Sequence, residues 1–246
     1  MANQRQFGLL GKDIEYSFSR SYFAQKFKNQ NLQHCSYQNF DLSDPADIPQ
    51  LLADKSVSGI NVTIPYKQTV IPHLDVLDEI AETIGAVNTI HWQDNQLWGY
   101  NTDAIGFEKA LKEAWQRPHA KALILGTGGA SKAVAYVLKK NDIDFRWVSR
   151  KSENKDMLTY SDIDENTLGD YTLIVNTTPL GTFPKTELRP NIPYGALTTR
   201  HCLFDLVYNP EVTSFMQEGL ARGATVSNGY KMLVYQAEAS WKIWNS

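Results

Sequence analysis

Apolar positions along this chain recur in two periods, and the alternation between them sets the expected architecture. Short apolar runs of strand length fall at Phe7–Leu10, His34–Leu42, Val57 into Pro65, Ala122–Leu125, Phe145–Ser149, Tyr171–Val175, Cys202–Val207 and Ala224–Val226. Between them, apolar residues recur at the i, i+3, i+4, i+7 spacing of a helix with one buried face. The clearest case is Ala130, Ala133, Val134, Val137 and Leu138. Tyr22, Phe23 and Phe27 share a helix face, and helices are also predicted over Pro45–Ala53, Ile80–Ile84 and Ala104–Trp115. Another holds Phe215 to Leu220 and stops at Gly223. Asn228-Gly229 turns into a final helix with an apolar face of Leu233, Val234, Ala237, Trp241 and Trp244; Gln236 lies one step off it. Ala86–Trp92 and Gln96–Tyr100 read as a strand pair turning at Asp94-Asn95. Strands alternating with helices predict an α/β chain.

One stretch carries more than periodicity. Ala122–Leu125 is a buried strand, Gly126-Thr127-Gly128-Gly129-Ala130-Ser131 a glycine-rich turn, and a helix and a second strand follow. In such a β-α-β unit the glycines allow a tight turn and a close approach of backbone to ligand, and the helix N–H groups face an anion. Ser131 stands where the third glycine of the dinucleotide fingerprint usually falls. The second strand ends in Ser149-Arg150-Lys151, where an NAD-binding protein usually has Asp or Glu for the ribose hydroxyls. A guanidinium can fork onto a 2′-phosphate that a carboxylate would repel. Such a charge-assisted contact contributes roughly 1.5–3 kcal/mol, about ten- to hundred-fold in affinity, so NADP is expected over NAD. An exposed, solvated Arg-Lys pair is the bland alternative.

The break at Arg117-Pro118-His119 puts a boundary near residues 101–118. The expected domains are 1–102, an α/β domain of its own, and 103–229, a reduced doubly wound domain. The helix over 230–246 is expected to pack back on the first. A cleft between two such domains is a common home for a substrate and a dinucleotide together. The polar segment 151–169 reads as an abbreviated surface helix or loop.

Composition narrows the class. With 246 residues, 42% hydrophobic and 21% charged, the chain suits a soluble globular enzyme, and its formal charge of −3 leaves no basic surplus for nucleic acid. The start lacks a signal-like apolar core and no apolar run is long enough to cross a bilayer, so no membrane association is expected. Cys35 and Cys202 are far apart in apolar contexts; reduced, buried thiols fit a cytoplasmic protein. Five scattered histidines, with no His-x-x-x-His or Cys-x-x-Cys, predict no metal site.

The first half holds candidate chemistry. Ser17 and Ser19 flank a helix start, where either could be the N-cap or the pair could hold a carboxylate. Pro65 suits a first helical position, which puts Thr63 at a strand end and Lys67 in the first turn of a helix. The dipole is positive there, so the neutral amine is favoured, as a proton-transfer group requires, and a merely solvated lysine is the bland alternative. Asn88 is polar within a strand. Asp103 reads blandly as an N-cap, with Thr102 competing for that job.

Taken together, several segments resemble the shikimate dehydrogenase family. They are Tyr16-Ser17-Phe18-Ser19, Gly59 through Lys67, Gly85-Ala86-Val87-Asn88-Thr89, Gly99-Tyr100-Asn101-Thr102-Asp103, the glycine turn, Asn176-Thr177-Thr178-Pro179, Asp205-Leu206-Val207-Tyr208 and Gly229 through Ala237. They occur in the family's order and span almost the whole chain. The resemblance implies an N-terminal α/β substrate domain and a C-terminal NADP-binding, Rossmann-like doubly wound parallel sheet. It implies reduction of 3-dehydroshikimate to shikimate with NADPH, a step of aromatic amino-acid (chorismate) biosynthesis. Lys67 and Asp103 would be the catalytic pair. Ser17 and Ser19 would hold the substrate carboxylate, and Thr63, Asn88, Asp103 and Gln236 its hydroxyls, with Tyr208 beside the substrate. Gly126, Thr127, Gly128, Gly129 and Ala130 would cradle the pyrophosphate. Ser149, Arg150 and Lys151 would face the 2′-phosphate, and the backbone at Leu206 and Gly229 the nicotinamide.

The chain departs from the family's pattern in places. The flanks Tyr16 and Arg20 replace His and Pro of His-Ser-x-Ser-Pro, and Ser149-Arg150-Lys151 replaces Asn-Arg-Thr. The chain is also somewhat short, with the loss expected in 151–169. A homodimer is left open. Rival functions are a quinate/shikimate dehydrogenase using NAD or both cofactors, a non-catalytic NADP(H)-binding regulator and a purely structural two-domain protein. Arg150 argues against the first, Lys67 and Asp103 against the second, and the polar strand ends against the third.

Overall fold

The computed structural model describes residues 4–15, 17–115, 120–151 and 157–246. Tyr16, the Arg117-Pro118-His119 break and residues 152–156 of the expected surface segment lie outside them. The chain forms two compact units, Met1–Thr102 with Ala237–Ser246, and Asp103–Gln236.

In the first unit, β1 (Arg5–Gly11), α1 (Phe18–Asn29), β2 (Cys35–Asp41), α2 (Ile48–Ala53), β3 (Val57–Val62), β4 (Val76–Leu77), α3 (Glu79–Ile84), β5 (Thr89–Gln93) and β6 (Gln96–Tyr100) follow in order. The sheet order is β2-β1-β3-β5-β6-β4. β1 pairs in parallel with β2 and β3, whereas β3–β5 and β5–β6 are antiparallel. Phe7 to Gly11 are all buried, as expected of a central strand covered on both faces. The β5–β6 hairpin turns on Asp94 and Asn95, both at positive φ, which matches the strand twist. Phe7, Phe23, Phe27, Ala237 and Trp244 form one core cluster. Trp244 Nε1 donates to Ile90 O at 3.0 Å, and its indole lies against Gly59, where a Cβ would meet Nε1 at 2.4 Å.

In the second unit, α4 (Thr102–Ala114) starts at the boundary; β7 (Lys121–Leu125), α5 (Gly129–Lys140), β8 (Asp144–Ser149), β9 (Met157–Thr159), α6 (Glu165–Asp170), β10 (Leu173–Asn176), β11 (Cys202–Asp205), α7 (Ser214–Leu220) and β12 (Thr225–Ser227) follow, and α8 (Tyr230–Ile243) begins in this unit and ends in the first. The sheet order is β12-β11-β10-β7-β8-β9 and every pairing is parallel. Counted from β7 as the first strand, this is the 3-2-1-4-5-6 order of a doubly wound dinucleotide-binding sheet, with the reversal between β7 and β10.

Several expectations are corrected. The polar 151–169 segment holds the short helix expected of it, α6, but also strand β9, whose three residues are too few to show an alternation. Pro45–Ala53 is a 3-10 turn, Pro45–Asp47, followed by α2. The helix expected at Asp103 or Ala104 begins at Thr102, so Asp103 lies in its first turn and is not its N-cap. Cys35 is half-buried rather than buried. On α8, polar Gln236 and Ser240 are buried while Leu233, Val234 and Trp241 are only half-buried, because Ser240 finds hydroxyl partners inside the first unit. No helix follows Pro65. The Ile64–Pro65 bond is cis, residues 64–70 form successive turns, and Lys67 O is taken by Val87 N–H at 2.7 Å instead of by the next helical turn. No helix dipole acts on Lys67 from that segment.

Candidate active site

The turn after β7 is shaped to take an anion. Gly126 has φ +111°, and its N–H donates to Val148 O at 2.9 Å. A Cβ there would lie 2.7 Å from Thr177 Oγ1, which itself donates to Leu125 O at 2.7 Å. Only glycine lets the two strand-end loops meet at this point. Gly128 is the N-cap of α5 without a side-chain cap, and a Cβ on it would meet nothing within 4 Å. The helix therefore presents backbone N–H groups to open space. Ser131, at the third-glycine position, is buried, and its hydroxyl turns back to Gly128 O at 2.6 Å. Thr127 and Gly128 are exposed, whereas Gly129 and Ala130 are half-buried. At the neighbouring strand end Ser149 is half-buried and Arg150 and Lys151 are exposed. Arg150 lies close to Tyr160: burial pushes the Tyr160 phenol up from its usual range while the guanidinium pulls it down. These features fit a dinucleotide carrying an added phosphate.

In the first unit, three of the predicted substrate residues converge through backbone bonds. Thr63 N–H donates to Leu10 O at 2.8 Å, Val62 N–H to Asn88 O at 2.8 Å, and Val87 N–H to Lys67 O at 2.7 Å. Thr63, Lys67 and Asn88 are thus held side by side at the strand ends. The side chains of Ile14 and Thr63 both close on Gly11, and Ser17 N–H donates to Ile14 O, which brings the start of α1 to the same end of the sheet. Ser17 is the N-cap of α1, accepting from Arg20 N–H at 3.5 Å. Ser19 is buried and hydrogen-bonds Tyr37, whose phenol burial holds well above its usual range.

Asn88 sits in a buried polar cluster with Asn61, Thr89, Thr102 and Ser240. Asn61 Nδ2 donates to Asn88 O at 3.2 Å and Ser240 Oγ at 2.9 Å, and Tyr37 donates to Asn61 Oδ1 at 2.9 Å. Sequence reasoning missed Tyr37, Asn61 and Ser240; the signal was a polar residue inside each apolar element.

In the second unit, Asp103 and Gln236 are both buried. A Cβ on Gly106 would meet Met232 O at 2.6 Å and Gln236 Cβ at 3.0 Å, so α4 and α8 cross one turn beyond Asp103. Gln236 Nε2 donates to Leu233 O at 3.1 Å. Leu206 and Gly229 touch through their backbones, and Tyr208 is half-buried. Among the described residues, no group of His, Cys, Asp or Glu is placed to hold a metal ion, and no helix is long and apolar enough to cross a membrane.

A parallel sheet of this order, opened by a glycine turn at a helix N-terminus, defines a dinucleotide-binding protein, and the polar strand ends give it the groups of an oxidoreductase. Residues 9–90 match the family model of the shikimate dehydrogenase substrate binding domain. The shikimate dehydrogenase (NADP(+)) of Clostridium botulinum is 37% identical over 96% of this chain and 95% of its own length. The crystal structure of the Aquifex aeolicus shikimate dehydrogenase matches with a TM-score of 0.88 at 30% identity, covering 100% of this chain and 94% of that one. The Thermus thermophilus shikimate 5-dehydrogenase, solved with NADP(H) and shikimate, matches at a TM-score of 0.84 and 29% identity over 97% of this chain and 92% of its own. The chain belongs to the shikimate dehydrogenase family.

Proposed function

We propose that this protein catalyses the reversible NADPH-dependent reduction of 3-dehydroshikimate to shikimate. The reading rests on two observations, a 3-2-1-4-5-6 sheet bearing Arg150 at its second strand end in one unit and, in the other, Thr63, Lys67 and Asn88 beside one another. When bound, NADPH supplies the hydride that the substrate's carbonyl carbon accepts. Gly126 to Ala130 hold the pyrophosphate through backbone N–H groups. Ser149, Arg150 and Lys151 hold the 2′-phosphate, and the Leu206 and Gly229 backbone borders the nicotinamide.

On the substrate, Ser17 and Ser19 donate hydroxyl hydrogens to the carboxylate. Thr63, Asn88, Asp103 and Gln236 bind ring hydroxyls, and Tyr208 lies beside the ring. The Lys67 ammonium gives a proton to the carbonyl oxygen as charge builds there, and in the reverse direction its amine removes the hydroxyl proton. Asp103 orients Lys67 and a neighbouring hydroxyl. Proton transfer of this kind contributes about 10²–10⁴ in rate, or ~3–5 kcal/mol. A cytoplasmic location is part of the proposal, since Cys35 and Cys202 form no disulfide.

The test is the initial rate of nicotinamide reduction followed by absorbance, with shikimate or quinate against NADP⁺ or NAD⁺. Turnover of shikimate with NADP⁺ well above the other three pairs is expected. Equal turnover of quinate with NAD⁺ would replace the proposal with a quinate/shikimate dehydrogenase.

A further inference from the structure

Asn176, Asp205 and Thr213 form a fully buried polar set in the second unit that the reaction above does not use. Asn176 ends β10 and Asp205 ends β11, directly opposite in the sheet register. The Asn176 amide has one orientation, because its Oδ1 accepts from Thr178 N–H at 3.0 Å and from the Thr178 hydroxyl at 2.7 Å. Its Nδ2 therefore donates, at 2.9 Å, to Asp205 Oδ1. The same carboxylate oxygen accepts from Val207 N–H at 3.0 Å. Oδ2 accepts from the Thr213 hydroxyl at 2.6 Å, while the Thr213 oxygen accepts from Met216 N–H at 3.3 Å as the N-cap of α7.

Three donors on three different segments thus converge on one side chain, and all three are neutral. A carboxylate accepts from all three, whereas an amide at 205 would instead donate to the Thr213 hydroxyl, which already accepts from Met216 N–H. Burying a carboxylate on neutral donors is costly, so its presence here marks a geometry that needs it.

That geometry is the turn Asp205-Leu206-Val207. Leu206 N–H donates to Asn176 O at 2.9 Å, and Gly229 N–H donates to Val207 O at 3.0 Å. A Cβ on Gly229 would lie 2.1 Å from Leu206 O, so the two backbones are in direct contact. We propose that Asp205 is a positioning residue for the nicotinamide half of the cofactor, acting through the Leu206–Gly229 contact while touching neither phosphate nor substrate. This rests on the assignment of Leu206 and Gly229 to the nicotinamide.

The experiment compares binding of NADP⁺ with binding of adenosine 2′,5′-bisphosphate, which keeps the 2′-phosphate and lacks the nicotinamide. In Asp205→Asn, NADP⁺ affinity should fall about ten-fold or more while bisphosphate affinity stays within about two-fold. Thr213→Val, which removes one donor and little volume, should shift the ratio in the same direction, and Thr213→Ser, which restores the hydroxyl, should return it to the wild-type ratio. Equal losses for both ligands, or no loss of NADP⁺ affinity in Thr213→Val, overturn the proposal, and the Thr213 pair decides it if Asp205→Asn does not fold. Wild-type protein that binds neither ligand would instead overturn the cofactor assignment beneath it.

Discussion

Thr102 donates its backbone N–H to Asn88 Oδ1 at 2.7 Å, so the first turn of α4 is capped by a side chain from beside β5. The Thr102 and Thr89 hydroxyls close on the same amide oxygen at 3.1 and 3.2 Å. With Oδ1 fixed by a backbone donor, the Asn88 Nδ2 also donates, to Thr102 Oγ1 at 3.0 Å. The residue is both a cap and a candidate substrate donor.

Asn88→Ala should therefore lower stability as well as weaken substrate binding. It removes a cap and leaves buried donors unpaired, a loss of about 1–3 kcal/mol. Urea unfolding measures this directly, and a midpoint unchanged from wild type would remove the capping role.

Arg150→Ala should raise KM for NADPH by about ten- to hundred-fold and leave KM for NADH nearly unchanged. The side chain is exposed, so its loss has little effect on the core. Equal effects on the two cofactors would contradict the phosphate assignment.

The alternation of apolar runs and helical periods made most elements legible, because each was long enough to show its period. Gly126, Asp94 and Asn95 announced turns through residue types that tolerate positive φ. What could not be read was held by partners distant in sequence. Lys67 looked helical until Val87 N–H claimed its carbonyl. Ser240 broke the apolar face of α8 and proved buried, because Asn61, Thr89 and Thr102 meet it there. Strand β9 was too short for any pattern. Of the candidate site, the residue types were legible, whereas the partners that hold them, Asn61 and Ser240 among them, are set by contacts distant in sequence.

Gly59→Ala should destabilise the protein by roughly 1–3 kcal/mol, the usual cost of overpacking a filled core. The added methyl would meet the Trp244 indole at 2.4 Å, and Trp244 is pinned by its bond to Ile90 O. A thermal midpoint equal to wild type would show that the C-terminal segment does not pack as described.

Stability should also depend on pH through Asp205. Burial pushes its carboxyl up from 3.8 to about 6, against the pull of Thr213, Val207 N–H and Asn176. The folded protein thus holds this proton more tightly than the unfolded chain. The resulting stabilisation is fully present below about pH 3.8 and is lost as pH rises through about 6, a change of about 3 kcal/mol. Urea unfolding of wild type and Asp205→Asn across that range should show wild type losing ground as pH rises. A constant difference would contradict the shift.

The most direct test concerns Lys67. Steady-state oxidation of shikimate by NADP⁺ should show Lys67→Ala with kcat lowered about 10²–10⁴-fold and the shikimate KM changed only a few-fold. A near-normal kcat in that variant would contradict proton transfer by Lys67, and with it the proposed chemistry.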